Sequence, residues 1–318
     1  MAPFELGPGD IAPGEPADKI AAALDRFRLE DATTIEEFDR GYRLLDAEFG
    51  PHNELERREV LEKWFRRGSL SPPDGRIRAW YHLLTAFDRD GRVAAVRDGF
   101  SAVDPSAPRV VELMSHSLVL PEWRRTGVGA LLRAAPATYA RQRAPPGADI
   151  SIVAEMEPLD PTVPATLVRL LAYRRSGFHV VPPTVLAYAQ PDFRDVDALG
   201  VEPVPIPFLL VVRQVGEEDR DTIHPARAIA LVDHIAAIHR PSVRPDQLDR
   251  IRAVAIRQVD PDGPDLPLWP LPASASDLAR LAPLLRSRVL PRFPIEWHGR
   301  PASDPERELQ LLRGGSDA

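Results

Sequence analysis

The stretch PEWRRTGVGALL, residues 121–132, determines how the rest of this sequence is interpreted. An apolar run, VVELMSHSLVL, precedes it at 110–120 and predicts a β-strand. A helix is predicted after it, from about 127 to 143. The stretch is therefore a turn that leads from a strand directly into a helix.

The turn is short of side chains and rich in positive charge. Gly127 and Gly129 leave the backbone bare at the start of the helix, where the first amides have no acceptor within the helix. Arg124 and Arg125 add positive charge at the rim. Because a helix N-terminus attracts anions, the pattern predicts a site for a group such as a pyrophosphate.

Two better-known phosphate motifs do not fit. The G-x-x-x-x-G-K-[ST] pattern and its lysine are absent, which excludes a Walker loop. The dinucleotide fingerprint needs a third glycine and a βαβ context that the sequence lacks. A plain strand-to-helix turn remains an alternative, so the interpretation also depends on a second motif downstream, AYRRSGF at 172–178.

Hydrophobic periodicity predicts the elements around the turn. Two helices, three strands, a helix, a strand, a helix and closing strands follow in order: 35–49, 54–67, 76–87, 92–103, 110–120, 127–143, 148–156, 164–177 and 178–215. The tetrapeptide DRDG at 88–91 predicts a hairpin, and Pro136 is expected to kink or shorten its helix. The sequence thus predicts a mixed α/β domain ending near residue 216.

The rest of the chain differs in character. Residues 1–30 carry few structural signals and are expected to be a loose, partly ordered leader. Beyond 217–221 the pattern predicts amphipathic helices at 226–240, 246–259 and 276–290, with a proline-rich connector at 261–272. We therefore predict three segments: the leader at 1–30, the α/β domain at 31–216, and a helical C-terminal extension at 217–318.

The composition excludes several classes of function. The formal net charge is −7, which makes a general nucleic-acid or anionic-membrane binder unexpected. There is no cysteine, which excludes disulfides, thiolate metal sites and a cysteine nucleophile. No apolar run reaches 18 residues, and the N-terminus lacks the regions of a signal peptide, so a cytoplasmic protein is expected.

Taken together, the two motifs resemble the GCN5-related N-acetyltransferase (GNAT) superfamily. Its acyl-CoA signature, [QR]-x-x-G-x-[GA] after a strand, matches Arg124, Gly127 and Gly129. A later helix of the family ends in Y-x-x-x-G-F, which matches Tyr173, Gly177 and Phe178. The resemblance covers about residues 34–215 and implies a mixed, mostly antiparallel central sheet flanked by helices.

The resemblance implies an acyl-CoA site on this turn. The backbone amides expected to hold the CoA pyrophosphate run from Arg125 to Ala130, and the acyl carbonyl is expected to meet an amide near Leu118, Val119 or Leu120. The cofactor-binding set is therefore Leu118, Val119, Leu120, Arg124, Arg125, Thr126, Gly127, Val128, Gly129 and Ala130. The insertion EPLDPTVP at 157–164 departs from the family pattern.

Acyl transfer to an amine needs a base, an oxyanion donor and a group that assists the leaving thiolate. Tyr173 is the candidate for the leaving group, by its match to the family tyrosine. Glu155, Glu112 and His116 compete as the base, with a water relay as a further alternative. Strand alternation predicts that Glu112 and His116 share a face. His234 and His239 are five residues apart, which is unsuited to a metal, and are expected at the surface.

These observations predict an acyl-CoA-dependent N-acyltransferase that uses acetyl-CoA, needs no metal, and acts on a small-molecule or peptide amine by direct attack in a ternary complex. The extension could also pair two subunits. A non-catalytic acyl-CoA-binding or scaffold protein on the same fold is the main alternative, and other CoA chemistry is a third, because a fold does not fix a function. The amine itself is not identified by the sequence.

Overall fold

A computed structural model describes residues 2–7, 9–52, 54–69, 76–156, 164–193, 196, 200, 202–274 and 276–277. The insertion at 157–163 and most of the helix predicted at 276–290 lie outside the described residues. The chain forms two compact units: Met1–Val153 with Gln214–Gly216, and Ala154–Arg213 with Glu217–Ala318. The chain passes between the units after Val153, after Arg213 and after Gly216, and the last of these positions is the predicted boundary between residues 216 and 217.

The first unit contains a mixed sheet with helices packed on it. Its elements are β1 (Ala2–Phe4), α1 (Ala17–Arg26), β2 (Phe27–Asp31), α2 (Ile35–Phe49), a 3-10 turn (Gly50–His52), α3 (Arg58–Arg67), β3 (Arg78–Asp88), β4 (Val93–Asp104), β5 (Arg109–Val119), a second 3-10 turn (Pro121–Trp123), α4 (Val128–Arg143) and the start of β6 (Asp149–Met156), whose residues from Ala154 onward belong to the second unit. Strands β1 to β6 lie side by side in chain order. The predicted fold class, a mostly antiparallel sheet flanked by helices, is confirmed.

One pair of neighbouring strands in this part of the sheet is parallel. The four pairs from β1–β2 to β4–β5 are antiparallel. The Asp149 amide at the start of β6 donates to the Pro108 carbonyl just before β5, at 2.8 Å, so these two strands run parallel. A parallel pair needs a crossover connection, and α4 provides it. The helix that follows the glycine turn is therefore the crossover of a β-α-β unit.

The N-terminal residues are part of this unit, which corrects the expectation of a loose leader. Strand β1 pairs with β2, and the Phe4 ring packs on Tyr139 of α4 with centroids 4.6 Å apart. The Thr138 hydroxyl donates to the Asp10 carboxylate at 2.6 Å, and Arg141 also binds that carboxylate. Apolar and charged contacts thus fix the segment along α4, a long-range arrangement that local sequence signals do not encode.

Strand β5 contains a β-bulge, and the bulge overturns one prediction. Arg97 of β4 faces Ser117, but Gly99 faces Met114, so two residues of β5 oppose Asp98 alone. One extra residue reverses the alternation of side chains beyond it. Glu112 and His116 therefore point to opposite faces of the sheet, and the prediction that they share a face is wrong.

Helix α4 continues to Arg143 with Pro136 inside it, which corrects the expectation of a shortened helix. Proline has no amide hydrogen, so the Leu132 carbonyl four residues earlier loses its helical donor. The fully buried Arg97 supplies a replacement, because its Nη1 donates to the Leu132 oxygen at 2.9 Å. A side chain from the sheet thus satisfies the carbonyl that the proline leaves open.

The second unit combines short strands and helices. They are α5 (Pro164–Arg175), β7 (His179–Val180), β8 (Ala189–Gln190), β9 (Ile206–Pro207), β10 (Leu209–Gln214), β11 (Thr222–Ile223), α6 (Pro225–His239), α7 (Pro245–Ala255), β12 (Leu266–Pro267) and β13 (Trp269–Pro270). Strand β7 pairs antiparallel with β10 on one side and with β13 on the other. Because β13 comes from the proline-rich connector, the C-terminal segment completes a sheet begun by earlier residues.

Candidate functional site

The glycine turn has the backbone shape expected of an anion site. Arg125 has φ 63° and is the one non-glycine residue with positive φ in the described part of the chain; Gly127 has φ 93°. Left-handed residues in such turns aim successive amides into a concave surface that favours anions. A non-glycine residue in this conformation costs energy, and such strain concentrates at functional sites.

The amides of the turn divide into two groups. The Thr126 amide donates to the Trp123 carbonyl at 3.4 Å, and the Ala130 amide donates to the Gly127 carbonyl at 2.9 Å. Val128 and Gly129 are the first two residues of α4, so their amides have no acceptor within the helix. Of the amides expected to hold a pyrophosphate, those of Val128 and Gly129 are the best placed.

The two glycines serve different purposes. A Cβ on Gly127 would lie 2.9 Å from the Ala23 Cβ and 3.2 Å from the Lys19 carbonyl oxygen, so α1 packs directly on this residue. A Cβ on Gly129 would make ordinary contacts, at 3.5 Å from Arg133 Nη1 and 3.6 Å from Val119 Cγ2. Gly127 is therefore required by backbone conformation and packing, whereas position 129 has room for a small side chain.

Positive charge surrounds the turn. Arg124 and Arg125 are exposed. The buried Trp123 ring has two guanidinium groups beside it, from Arg26 at 5.0 Å and Arg92 at 5.1 Å. These cation–π contacts hold cations at the entrance to the turn.

Near the end of β5, one backbone N–H, that of Val119, points away from the neighbouring strand β4. The Leu120 amide donates to the Ala94 carbonyl of β4 at 3.1 Å. Hydrogen-bonding directions alternate along an antiparallel strand, and Val119 faces Ala95 in the register. The Val119 N–H therefore points away from β4. Among Leu118, Val119 and Leu120, it is the amide that β4 does not use.

His116 is held by hydrogen bonds at both ring nitrogens. Its Nδ1 lies 2.9 Å from the Asp98 carboxylate and its Nε2 lies 2.8 Å from the Glu54 carbonyl oxygen. Burial alone would lower the pKa of His116, but the Asp98 charge and these bonds raise it to about 9. A ring that is cationic and donates at both nitrogens cannot accept a proton from an amine at neutral pH. We assign it to the structure of the loop at 54–57.

That loop explains a second difference from the sequence prediction. The helix predicted from residue 54 begins at Arg58 instead. The Glu54 carbonyl accepts from His116, and the Glu56 carbonyl accepts from the Tyr42 hydroxyl at 3.3 Å. Since these carbonyls have tertiary partners, the first four residues stay outside the helix.

Glu112 is fully buried on the opposite face of the sheet. Its Oε1 lies 2.5 Å from His82 Nε2, and its Oε2 accepts from the Ser101 hydroxyl at 2.6 Å. The His82 ring stacks on Tyr139 with centroids 3.7 Å apart. Because both carboxylate oxygens are used within a solvent-excluded cluster, Glu112 has no route to a substrate amine.

Glu155, the third candidate base, lies in the second unit, near the end of β6. Its side chain is 7% exposed. The Tyr188 hydroxyl donates to Oε1, and Gln190 Nε2 lies 3.5 Å from Oε2. His239 of α6 places its Nε2 3.9 Å from Oε2. This cluster joins the candidate carboxylate to Tyr188 and Gln190, which no motif indicated, and to His239, which was expected at the surface.

Tyr173, the candidate for assisting the leaving group, lies on α5 in the second unit. It is half-buried, and its ring meets Phe178 edge to face with centroids 4.9 Å apart. The Phe178 amide donates to the Tyr173 carbonyl at 3.1 Å. The Y-x-x-x-G-F motif thus closes the end of α5 and fixes the tyrosine ring, while its catalytic role stays a prediction.

Both histidines expected at the surface are buried, which corrects that prediction. His234 and His239 are each 2% exposed. His234 Nδ1 lies 2.7 Å from the Ala230 carbonyl of its own helix, whereas His239 faces the Phe193 ring at 5.1 Å and the Glu155 carboxylate. Long-range packing of α6 cannot be inferred from a helical pattern, so no local signal indicated this contact.

Metal binding and membrane spanning can be assessed for the described residues. Those residues hold no group of three or more His, Asp or Glu side chains placed to bind a metal ion. None of the helices they form has both the length and the apolar character to cross a bilayer.

No protein-family model and no curated protein matches the sequence. Among solved structures, the chain is similar to a GCN5-related glucosamine N-acetyltransferase region of a fungal multi-domain β-N-acetylglucosaminidase, at 15% identity and a TM-score of 0.36, over 48% of this chain and 17% of that one. The chain thus spans less than a fifth of that protein's length.

Two other solved structures are covered more fully. An aminoglycoside acetyltransferase from an uncultured soil metagenomic sample is 15% identical, with a TM-score of 0.34, over 48% of this chain and 88% of that one. A GNAT superfamily phosphinothricin acetyltransferase from Sinorhizobium meliloti, solved in complex with AcCoA, is 14% identical, with a TM-score of 0.30, over 60% and 90%. At these scores the assignment of a site in this chain depends on its own geometry.

Proposed function

We propose that this chain is an acyl-CoA-dependent N-acyltransferase that transfers acetyl from acetyl-CoA to a small-molecule or peptide amine. The observation that carries the proposal is the turn between β5 and α4. It combines two left-handed residues, Arg125 and Gly127, with the amides of Val128 and Gly129, which have no acceptor within the helix. This geometry suits the pyrophosphate of CoA, because a helix N-terminus and an αL turn both favour anions.

Acetyl-CoA would supply an acyl thioester next to an amine. The residues of this chain then have three tasks: to take a proton from the amine, to donate to the developing oxyanion, and to assist the thiolate. We propose the Glu155 carboxylate for the first, the Val119 amide for the second and the Tyr173 hydroxyl for the third. With no cysteine in the chain, direct attack of the amine is the proposed course.

Glu155 is the proposed base because its two rivals are used elsewhere. His116 donates at both ring nitrogens, and both oxygens of Glu112 accept hydrogen bonds inside the core. Glu155 keeps a small exposed fraction, and among the described residues a short hydrogen bond reaches its Oε1 but not its Oε2. Replacing it in Glu155→Gln should lower turnover by about 10²–10⁴-fold while leaving CoA affinity unchanged.

The first experiment tests the anion site by calorimetry with CoA. Gly129→Glu places a carboxylate in the first turn of α4, at a position where a Cβ makes ordinary contacts, so the protein should fold and lose CoA affinity by at least about 100-fold. Gly129→Ala is the matched control and should bind like the natural protein. If folded Gly129→Glu binds CoA normally, the assignment of the site is wrong.

The second experiment tests the reaction. Thiol release from acetyl-CoA is followed with a panel of amines, including aminoglycosides and short peptides, for the natural protein and for Glu155→Gln. Amine-dependent thiol release that Glu155→Gln removes supports the proposed enzyme. CoA binding without turnover on any amine supports the alternative, an acyl-CoA-binding protein without catalysis.

A further inference from the structure

We propose that His239 is the positioning residue for the Glu155 carboxylate, so that the C-terminal segment contributes directly to proton transfer. This inference rests on the proposed function, in which Glu155 is the base. It goes further, because it brings α6, which lies outside the region resembling the GNAT superfamily, into the catalytic machinery.

The first support is the geometry of the pair. His239 Nε2 lies 3.9 Å from Glu155 Oε2, and the two side chains are 3% and 7% exposed. A carboxylate with so little water around it depends on the groups beside it for its orientation. The His239 ring is such a group on the Oε2 side, at the distance of an ion pair when the ring is protonated.

The second support comes from the other carboxylate oxygen. The Tyr188 hydroxyl donates to Oε1. Burial, reinforced by the charge of Glu155, raises the pKa of Tyr188 well above its usual value of 10, so this hydroxyl keeps its proton. With Oε1 held by a permanent donor, Oε2 is the oxygen that can accept a proton, and Oε2 is the one that faces His239.

The third support is the position of the imidazole. His239 is the last residue of α6, where the carbonyls at the helix end carry partial negative charge and favour a cation. The Phe193 ring packs against the imidazole with centroids 5.1 Å apart and limits its orientation. Around Glu155 the described partners are Tyr188, Gln190 and His239, and none of them brings a second negative charge.

The same helix offers a matched control. His234 lies five residues earlier on α6 and is equally buried at 2% exposure, but its Nδ1 lies 2.7 Å from the Ala230 carbonyl of its own helix. A loss caused by removing any buried histidine from α6 should therefore appear in His234→Asn as well. A loss specific to the carboxylate should appear only in His239→Asn.

The experiment measures kcat/KM for amine acetylation, beside CoA affinity and melting temperature. His239→Asn removes the side chain that faces Oε2 and leaves the orientation of the carboxylate less fixed. It should therefore lower kcat/KM by about 10–100-fold, with CoA affinity unchanged.

Two variants separate positioning from folding. His239→Gln keeps an N–H near the place of Nε2 and should recover part of the loss, while His234→Asn should leave kcat/KM unchanged. If His239→Asn leaves kcat/KM unchanged, or if His234→Asn lowers it equally, the proposal is overturned.

A readout without turnover keeps this inference distinct from the proposed function. The ring nitrogens of the eight histidines are followed by ¹⁵N NMR at one fixed pH, and the His239 signal is identified by its loss in His239→Asn. Glu155→Gln should change the ¹⁵N chemical shifts of that ring, because it removes the carboxylate charge beside Nε2. If it does so while no amine supports turnover, the pairing stands and the enzymatic proposal fails. If the His239 chemical shifts stay in place, the pairing is overturned whatever the activity.

Discussion

A double-mutant cycle on Arg97 and Pro136 tests how a proline is accommodated inside α4. Pro136 has no amide to offer the Leu132 carbonyl, and Arg97 Nη1 donates to that oxygen at 2.9 Å. Replacing Arg97 by methionine keeps much of the buried volume and removes the donor. The orphaned carbonyl should cost about 1–3 kcal/mol of the free energy of unfolding. The same substitution removes the second hydrogen bond, from Nη2 to the Asp98 carbonyl at 3.2 Å, and this loss further lowers the free energy of unfolding.

In the Pro136→Ala background the result should change. Alanine restores the amide at position 136, which can donate to the Leu132 oxygen as in any helix. Arg97→Met should then cost about 1–3 kcal/mol less than it does beside the proline, since that oxygen keeps a donor. The bond from Arg97 to Asp98 is lost in both backgrounds, so the difference isolates the shared carbonyl.

Urea unfolding of the four proteins, followed by far-ultraviolet circular dichroism, measures the coupling. A coupling of 2 kcal/mol corresponds to about 1 M in the urea midpoint for a slope of about 2 kcal/mol/M. Ala140→Gly, in the same helix but without a shared carbonyl, should show a coupling to Arg97→Met below about 0.5 kcal/mol. A coupling near zero for Pro136→Ala would refute the reasoning.

Three other predictions concern the turn, the β5 bulge and α5. Gly127→Ala should destabilise by about 1–2 kcal/mol or more, because φ is 93° and its Cβ would crowd Ala23, whereas Gly129→Ala should be neutral or stabilise by up to about 1 kcal/mol; urea midpoints decide. His116, whose pKa is raised from 6.5 to about 9, contributes stability that is complete below pH 6.5 and is lost as pH rises through 9. His116→Asn should therefore lower the melting temperature more at pH 6 than at pH 10, and an equal loss at both would contradict the assignment. Tyr173→Phe should reduce turnover about tenfold to thousandfold without changing CoA affinity, and unchanged turnover would make that tyrosine a packing residue.

Much of the first unit could be predicted because its signals are local. The hairpin at 88–91 and the strand at 110–120 follow from turn chemistry and alternation, and the structure confirms both as the β3–β4 hairpin and β5. The helix after the glycine turn follows from periodicity and begins at Val128. In each case the residues that determine the element lie inside it.

The errors arise where a distant partner decides the outcome. Pro136 leaves the Leu132 carbonyl without its helical donor, and the replacement donor is Arg97 from a strand of the sheet. The face of His116 depends on a bulge, which requires knowing that Asp98 opposes two residues of β5. His239 is buried against Glu155 by the packing of α6. None of these partners can be identified from residues adjacent in sequence.

At the end of β5, a strand that is predicted by its own residues depends on a distant partner, Asp98, for its register. Asp98 accepts from the His116 amide and Nδ1, both at 2.9 Å, and from the Tyr81 hydroxyl at 3.1 Å. Burial alone would raise the pKa of Asp98, but the His116 charge and these donors lower it, so the carboxylate stays ionised at neutral pH. A buried ion pair with its donors satisfied fixes one arrangement of the chain, because any shift of register would leave a charge unpaired in the core. The pair therefore sets the register between the bulge and Leu120, and with it the outward direction of the Val119 amide, three residues beyond His116. On the proposed function, the buried Asp98–His116 ion pair therefore orients the Val119 amide, which would donate to the acyl oxygen.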